Sequence, residues 1–550
     1  MKVKHHIIFT LSPGFILVLL VFFSLRRELT HCGELCIDCF YHLAMALQGP
    51  SVFMGREFPT LTMSVWSDRF ADKELLYHLL LYPMVGVQRW LAGAITPPFN
   101  LTATMVFAVL SAAFFLVAHQ LRLRPIWLWA LIMLFCSFEF MQRIMMLRPH
   151  VLGSAMFLFT IAALLITHRR YRNWTIFGVG FLYAWAYSNP HFMLLPLAGF
   201  AVCRWRRERW RAVITAVIGV GGLFAGLIIH PQFPHNLLIW KIQAIDVIVA
   251  TFDPELKNWL GMELNHGGWR NAIASYLLYF MAVLDFFYLL ILLVYREKRI
   301  WAPSFQAIGL ISFIGLVGVF VNTRALEYAV PCTVLFTGMM FHLLGHRLCA
   351  SGHRRLVRII SPGVPLMVAL GMGLWTLLGT VLWNLSVITP SPQLISHPSS
   401  EFAAAARKAG LPPGTIIGNL FWADFPALFF SCPQYRYLGG LDPMFSYAAD
   451  PVRTTRLMRF NYRKLKLTPP ELRQLIGTRY AFVSNDYRKL AVAMFEQDYG
   501  IVYQGRDGWL FDLDIPVEQV RSFKRIYRQH KNISEPDDHT ALPVKKEISE

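Results

Sequence analysis

Residues 34–83 read ELCIDCFYHLAMALQGPSVFMGREFPTLTMSVWSDRFADKELLYHLLLYP, and the reading of this stretch decides the fold. It stands between one N-terminal apolar run and a long series of others. It carries Glu34, Asp38, His42, Trp66, Asp68, Asp72, Lys73, Glu74 and His78, a density of ionisable groups that the flanking segments lack. Two pieces have helical patterning. Asp38, Tyr41 and His42 open a short apolar helix running to Leu47, and Asp72 to His78 lead into Leu79-Leu80-Leu81. Polar groups between spans, where a membrane protein meets water, line sites. The expectation is a loop held over a membrane-embedded cavity.

Composition supports a membrane chain. At 550 residues a soluble protein would divide into about three or four domains. Here 55% of residues are apolar, 14% aromatic and only 15% charged, with mean hydropathy +0.44, which marks a polytopic α-helical membrane protein. The net charge of +19 does not point to nucleic acid. Much of it sits in short clusters between apolar runs: Arg122 and Arg124, His168 to Arg172, Arg204 to Arg211, Arg296 to Arg299, and Arg347 to Arg358. That is the positive-inside pattern. Of the eight cysteines, Cys32, Cys36 and Cys39 fall on one helical face. With His31 or Asp38 they have the makings of a zinc site; a disulfide or plain packing is the blander reading.

Met1 to Lys4 is basic and Ile7 to Leu25 apolar without a small-residue cleavage site, so the run reads as an uncleaved signal anchor that puts the loop outside. Leu75 to Ile95, interrupted by His78, Pro83, Gln88 and Arg89, reads as an interfacial helix. The remaining candidate spans are 101–121, 126–140, 151–167, 174–188, 191–203, 213–229, 273–295, 305–321, 325–344 and 363–385. With the anchor this makes about eleven crossings, places every basic cluster on the cytoplasmic side and puts the C-terminus outside. The external connections include a long loop from His230 to Asn271 with an amphipathic middle around Leu237–Val249, and Asn189-Pro190-His191, which breaks an apolar run.

The domain plan is therefore a transmembrane region over 1–385 with its first external loop at 26–83, a Pro/Ser linker at 386–400, a small soluble α/β domain at 401–515, and a charged tail at 516–550. Within the small domain, helices are expected at Phe402–Ala409, Trp422–Phe430, Pro470–Ile476 and Lys489–Tyr499. Strands are expected at Gly414–Asn419, Tyr480–Ser484, Ile501–Gln504 and Trp509–Asp512.

An anchor, a loop with an Asp just before a Tyr-His pair, then Trp66, Asp72 and Leu76-Tyr77-His78-Leu79-Leu80-Leu81, many spans and a C-terminal domain together resemble the GT-C superfamily of integral-membrane glycosyltransferases. That group includes protein mannosyltransferases and lipid A aminoarabinose transferases. Among its bacterial branches the resemblance extends to Trp422-Ala-Asp-Phe-Pro-Ala-Leu-Phe-Phe430, Tyr437-Leu-Gly-Gly-Leu-Asp-Pro443 and Arg324 to Pro331. It implies transfer, with inversion, of a sugar from a polyprenyl-phosphate carrier in the bilayer to an extracytoplasmic acceptor, in a bacterial inner membrane. It also implies that Asp38 is the general base. The chemistry needs a carboxylate to take the acceptor's proton and cations or a divalent metal ion to take the charge on the departing phosphate. Arg148, His150, Arg324 and Lys73 are the donor-phosphate candidates; His42, Trp66, Asp68, Asp72 and His78 are the acceptor and substrate candidates. Cys39 stands where a second acid is common in the family, which leaves the metal undecided.

Each residue also has a duller role. Asp38 caps a helix beginning at Phe40, Asp68 and Asp72 start another, and His42 and His78 pack. Arg324 and Glu327 form an i,i+3 ion pair, and Asn189-Pro190-His191 merely ends a helix. Two other functions fit the architecture. A transporter or flippase of a lipid-linked saccharide predicts functional charges near mid-membrane. A non-catalytic assembly protein predicts that Asp38→Ala changes nothing.

Overall fold

A computed structural model of the chain describes residues 13–30, 33–93, 95–260, 275–350, 399–522 and 524. Expectations for Met1–Lys4, the first residues of the anchor, His31, Cys32, part of the 230–271 loop, the 363–385 span, most of the 386–400 linker and the tail beyond 524 lie outside those residues. The chain divides into two compact units. The first, here the transmembrane unit, comprises Met1–Cys36, Lys73–Leu237 and Gly261–Leu394; the second, the composite unit, comprises Ile37–Asp72, Leu238–Leu260 and Ile395–Glu550.

Among the described residues the regular elements of the transmembrane unit are helices. Asn100–Gln120, Trp210–Ile228, Tyr276–Val294, Pro303–Val321 and Thr323–Arg347 are long and apolar enough to cross a membrane. A sixth crossing arises if Ile126–Phe135 and Phe138–Met145, bent by 97°, count together. The bend falls where Ser137 leaves the helical region and its hydroxyl caps the next helix, accepting from Phe140 N at 3.2 Å. The other apolar runs are helices as well: Pro13–Leu29, Leu75–Ala92, His150–Leu165, Arg169–Ala186 and Leu194–Glu208. Leu75–Ala92 continues through Pro83 and ends at Gly93, whose φ of 72° gives the left-handed C-cap. Asn189-Pro190-His191 breaks the chain as expected, passing through the 3-10 turn Pro190–Met193 before Leu194. Arg169–Ala186 and Trp210–Ile228 touch backbone to backbone; a Cβ on Gly222 would strike the Phe177 carbonyl.

Charge ties the ends of this unit. Arg26, fully buried, pairs with Glu34 at 2.6 Å and donates to Met145 O at 2.9 Å and to the Asn100 side chain. Glu34 also accepts from Phe99 N at 2.6 Å. Glu34 is thus a structural carboxylate that fastens the first helix to the start of Asn100–Gln120.

The composite unit is built on a five-stranded sheet. Its strands are β1 (Ile416–Asn419), β2 (Arg436–Tyr437), β3 (Tyr480–Ser484), β4 (Gly500–Gln504) and β5 (Gly508–Asp512), in the order β2-β1-β3-β5-β4. β1, β2 and β3 are parallel, while β5 pairs antiparallel with both β3 and β4. The strand Tyr480–Ser484 and the closing pair around Asp507 are legible in sequence; two-residue β2 is not. Outside β2 the first loop supplies a further edge. Tyr437 N donates to Thr60 O at 2.7 Å, Thr62 N to Tyr437 O at 2.8 Å, and Met63 N to Leu438 O at 2.7 Å, with Leu61 and Tyr437 bridged in parallel. Met63 joins the core formed by Leu420, Phe421, Leu472, Val483 and Phe511. The loop that the domain plan grouped with the transmembrane region therefore packs, over Ile37–Asp72, with the C-terminal fold. The sequence motif from Tyr437 to Pro443 explains itself here. A Cβ on Gly440 would strike the Phe425 ring, and Asp442 caps the helix Pro443–Ala449 by accepting from Met444 N at 2.9 Å.

Candidate active site

The candidate residues divide between the units. Asp38, His42, Trp66, Asp68 and Asp72 belong to the composite unit; Lys73, His78, Arg148, His150 and Arg324 belong to the transmembrane unit.

Asp38 begins the helix Asp38–Gln48. It stands in the first turn, where a carboxylate complements the helix dipole, and not at the capping position, which Ile37 holds without a side-chain cap. Gly49, at φ 82°, ends the helix and Pro50 starts the next short one. From Cys39 to Ala46 every residue is buried, because this helix packs on Phe425–Ser431 through aromatic side chains. The Tyr41 ring lies 6.1 Å from Phe425 and 6.3 Å from Phe429, and Phe40 lies 5.3 Å from Phe430. The Trp422–Phe430 motif is thus the bed of the Asp38 helix; Asp38 itself remains half-buried.

The other loop candidates fare differently. Trp66, expected at the acceptor, is fully buried against Phe445 (4.9 Å), Phe70 (5.1 Å) and Tyr41 (6.1 Å), which makes its ring a core element. Its Nε1 has no hydrogen-bond partner among the described residues. His42 is buried beside Tyr41, and Asp72 is 1% exposed. Asp68 is exposed and lies 3.6 Å from Arg69. In the other unit, His78 is fully buried beside Tyr77, and Lys73 reaches Glu74 at 3.5 Å. The helix expected to open at Asp72 begins at Leu75.

Near three of the phosphate candidates stands an ion pair that the sequence reading did not expect. Glu327, 1% exposed, accepts from Arg143 Nε at 3.2 Å and also from its Nη2. The sequence suggested a local i,i+3 pairing of Glu327 with Arg324; the ion pair seen is the long-range one with Arg143. His150 donates from Nε2 to the Arg143 carbonyl at 2.7 Å and lies within the fields of Glu327, Arg143 and Arg148. Arg324, Arg143 and Glu327 all act on Tyr187. The result is a buried Arg143–Glu327 ion pair with the His150 imidazole bonded beside it and the half-buried Arg148 and Arg324 within electrostatic reach of the same site. Asn322 fixes the Arg324 backbone by accepting its N–H at 2.8 Å. A carboxylate one turn into an apolar helix requires a cation from elsewhere, and that requirement was the available signal for Arg143.

Among the described residues no group of three or more His, Cys, Asp or Glu side chains is set to hold a metal ion. The donor set does not fit a preformed metal centre, so no step below passes through one. An open groove of about 710 Å³ on the composite unit, lined by Pro469, Arg473, Arg479 and Asp514, includes none of the candidates.

No family model matches the chain, and no curated protein matches it in sequence. Solved structures do. The oligosaccharyltransferase of Archaeoglobus fulgidus in its apo form superposes with a TM-score of 0.55 at 10% identity, over 91% of this chain and 75% of that one. The same enzyme, AglB, in complex with an inhibitory peptide and a dolichol-phosphate gives 0.55 at 11% identity, over 91% and 74%. ArnT from Cupriavidus metallidurans in the apo state gives 0.52 at 12% identity, over 92% and 98%. At such identities the likeness is one of fold. The chain is an integral membrane protein with the fold of the GT-C membrane glycosyltransferases, as its first loop and C-terminal motifs led one to expect.

Proposed function

We propose that the protein is an inverting glycosyltransferase that moves a sugar from a polyprenyl-phosphate carrier to an extracytoplasmic acceptor. The carboxylate of Asp38 takes the proton of the acceptor nucleophile as that atom attacks the anomeric carbon. The bond from anomeric carbon to phosphate oxygen breaks, and the polyprenyl phosphate leaves with the electron pair. Arg148, Arg324 and Lys73, with Arg143 added, supply the cations for that charge, and His150 stands on the donor-phosphate side as a neutral imidazole. His42, Asp68, Asp72 and His78 are assigned to the acceptor side, with Trp66 supporting them from the core. The observation that carries this reading is the buried ion pair of Arg143 with Glu327, with Arg148, His150 and Arg324 within electrostatic reach of the same site, in a fold shared with glycosyltransferases. AglB, whose structure holds a dolichol-phosphate, supports a lipid-linked donor. About eleven crossings in a bacterial inner membrane, with the C-terminus outside, complete the proposal.

The test is Asp38→Asn in purified protein with a panel of polyprenyl-phosphate sugars. Turnover is expected to fall by about 10²–10⁴-fold while donor binding stays; unchanged turnover removes Asp38 as base. Cysteines placed at Ser67 and Lys489 are expected to label from outside intact cells, and labelling of either only after lysis overturns the topology.

A further inference from the structure

Between two membrane-length helices, Trp210–Ile228 and Tyr276–Val294, the chain forms a further helical stretch. It runs through His235–Lys241, the wide turn Ile242–Asp246 and Val247–Ala250. One side is buried: Ile239, Ile242, Val247 and Ala250 are 5% exposed or less. That side belongs to the composite unit, and the residues just after it are fastened there. Glu255 accepts from Arg459 Nε at 2.8 Å and Nη2 at 2.9 Å, and Tyr462 OH donates to Asn258 O at 2.9 Å. The opposite side is apolar and uncovered. Ile245, Ile248, Val249 and Phe252, at i, i+3, i+4 and i+7, are 45%, 53%, 62% and 83% exposed, and Leu237 extends the row.

The start of the stretch is fixed at the end of a span. Asn236 Nδ2 donates to Leu227 O at 2.7 Å, in the last turn of Trp210–Ile228. That span presents Phe224, Ile228 and Ile229 outward, each more than half exposed, as a lipid-facing helix does. The apolar row therefore begins eight residues along the chain after a lipid-facing surface ends. We propose that Leu237, Ile245, Ile248, Val249 and Phe252 rest in the lipid headgroup and upper acyl layer as an interfacial amphipathic helix, holding the composite unit to the membrane surface. Lys241 and Asp246, paired at 2.8 Å on the flank, suit such a boundary: the lysine stem lies along apolar surface and its charge stays at the water edge. The inference is independent of the reaction catalysed.

The experiment uses the full chain in lipid nanodiscs, with single added cysteines at Ile248, Val249 and Phe252, and at exposed Lys257 as the aqueous control. Each is coupled to an environment-sensitive fluorophore and read as the difference from the labelled parent. Labels at Ile248, Val249 and Phe252 are expected to show a blue-shifted emission, to be quenched by nitroxides near the lipid headgroup and to be spared by iodide. The Lys257 label should show the reverse. Iodide quenching of all four overturns the proposal. So does protection of the three from both quenchers, which would mean that a second copy or another segment of the chain covers the row. Three positions, each monodisperse by size exclusion, guard against one variant misfolding.

Discussion

In the transmembrane unit, residues distant in sequence meet through side-chain charge: Arg143 reaches Glu327 across 184 positions, and Arg26 fastens Glu34, Met145 and Asn100 together. In the composite unit they meet through backbone: Thr62 and Tyr437, 375 positions apart, are joined by main-chain bonds at the sheet edge and by aromatic packing behind it. The difference follows from the solvent. Helices satisfy their own main chains, so in an apolar surround only side chains remain to specify which helix meets which. A strand leaves its main chain open to a neighbour, and a loop segment of the right shape completes it.

If the contrast holds, removing one charge harms the first unit more than removing one hydroxyl harms the second. Glu327→Gln leaves Arg143 buried without its counter-charge. It is expected to destabilise the transmembrane unit by about 3–5 kcal/mol, measured by thermal unfolding in detergent. The double replacement Arg143→Met with Glu327→Leu should cost less than the single one, and an equal or larger cost would show that the pair is not acting as a pair.

The composite unit has its own buried acid. Burial pushes the Asp424 carboxyl up to about 7, with nearby Asp486 adding to the rise and Ser484 opposing it. The folded unit therefore keeps a proton that the unfolded chain releases near pH 4. The contribution is whole below about pH 4, declines as pH rises and is gone above about pH 7, on the order of 4 kcal/mol in all. Asp424→Asn should flatten the melting temperature of this unit across that window. A slope that survives the substitution would shift the cause to another group.

Packing changes come next. Gly440→Ala drives a methyl into the Phe425 ring and is expected to cost about 1–3 kcal/mol, read as faster proteolysis of the composite unit. The smallest effect is expected from Tyr437→Phe. The hydroxyl of Tyr437 donates to Cys432 O at 2.7 Å and to Leu428 O at 3.1 Å, securing the end of the helix beneath Asp38–Gln48. Its loss should cost about 1 kcal/mol and quicken hydrogen exchange along Asp38–Gln48. Unchanged exchange would uncouple the two helices.

Much of the fold was legible because its signals are local. Apolar runs announce helices wherever they stand, and the short apolar run at Tyr480–Ser484 reads as a strand, buried through its three middle residues. What escaped is long-range. Arg436–Tyr437 is too short to carry a period, and nothing in Thr60–Met63 states that its partner lies hundreds of residues later. The same limit governs the site. Arg148, His150 and Arg324 stood out as polar groups between apolar runs, and each lies within electrostatic reach of Arg143 or of residues beside it. Glu327 was visible, but its pairing with Arg143 depends on a helix crossing that periodicity does not encode. Trp66 misled for a related reason: a tryptophan among acids looks like a sugar platform until the core that surrounds it is assembled from three separate segments.

The bond from Thr62 to Tyr437 has a consequence for biogenesis. The ribosome adds the intervening 375 residues over roughly 20–75 s at ordinary elongation speeds. For that interval the aromatic side chains of the first loop (Tyr41, Phe58, Trp66 and Phe70) wait for partners not yet synthesised. A nascent chain stalled before Tyr437 should therefore depend on holding chaperones, and lose that dependence once the last strands are made.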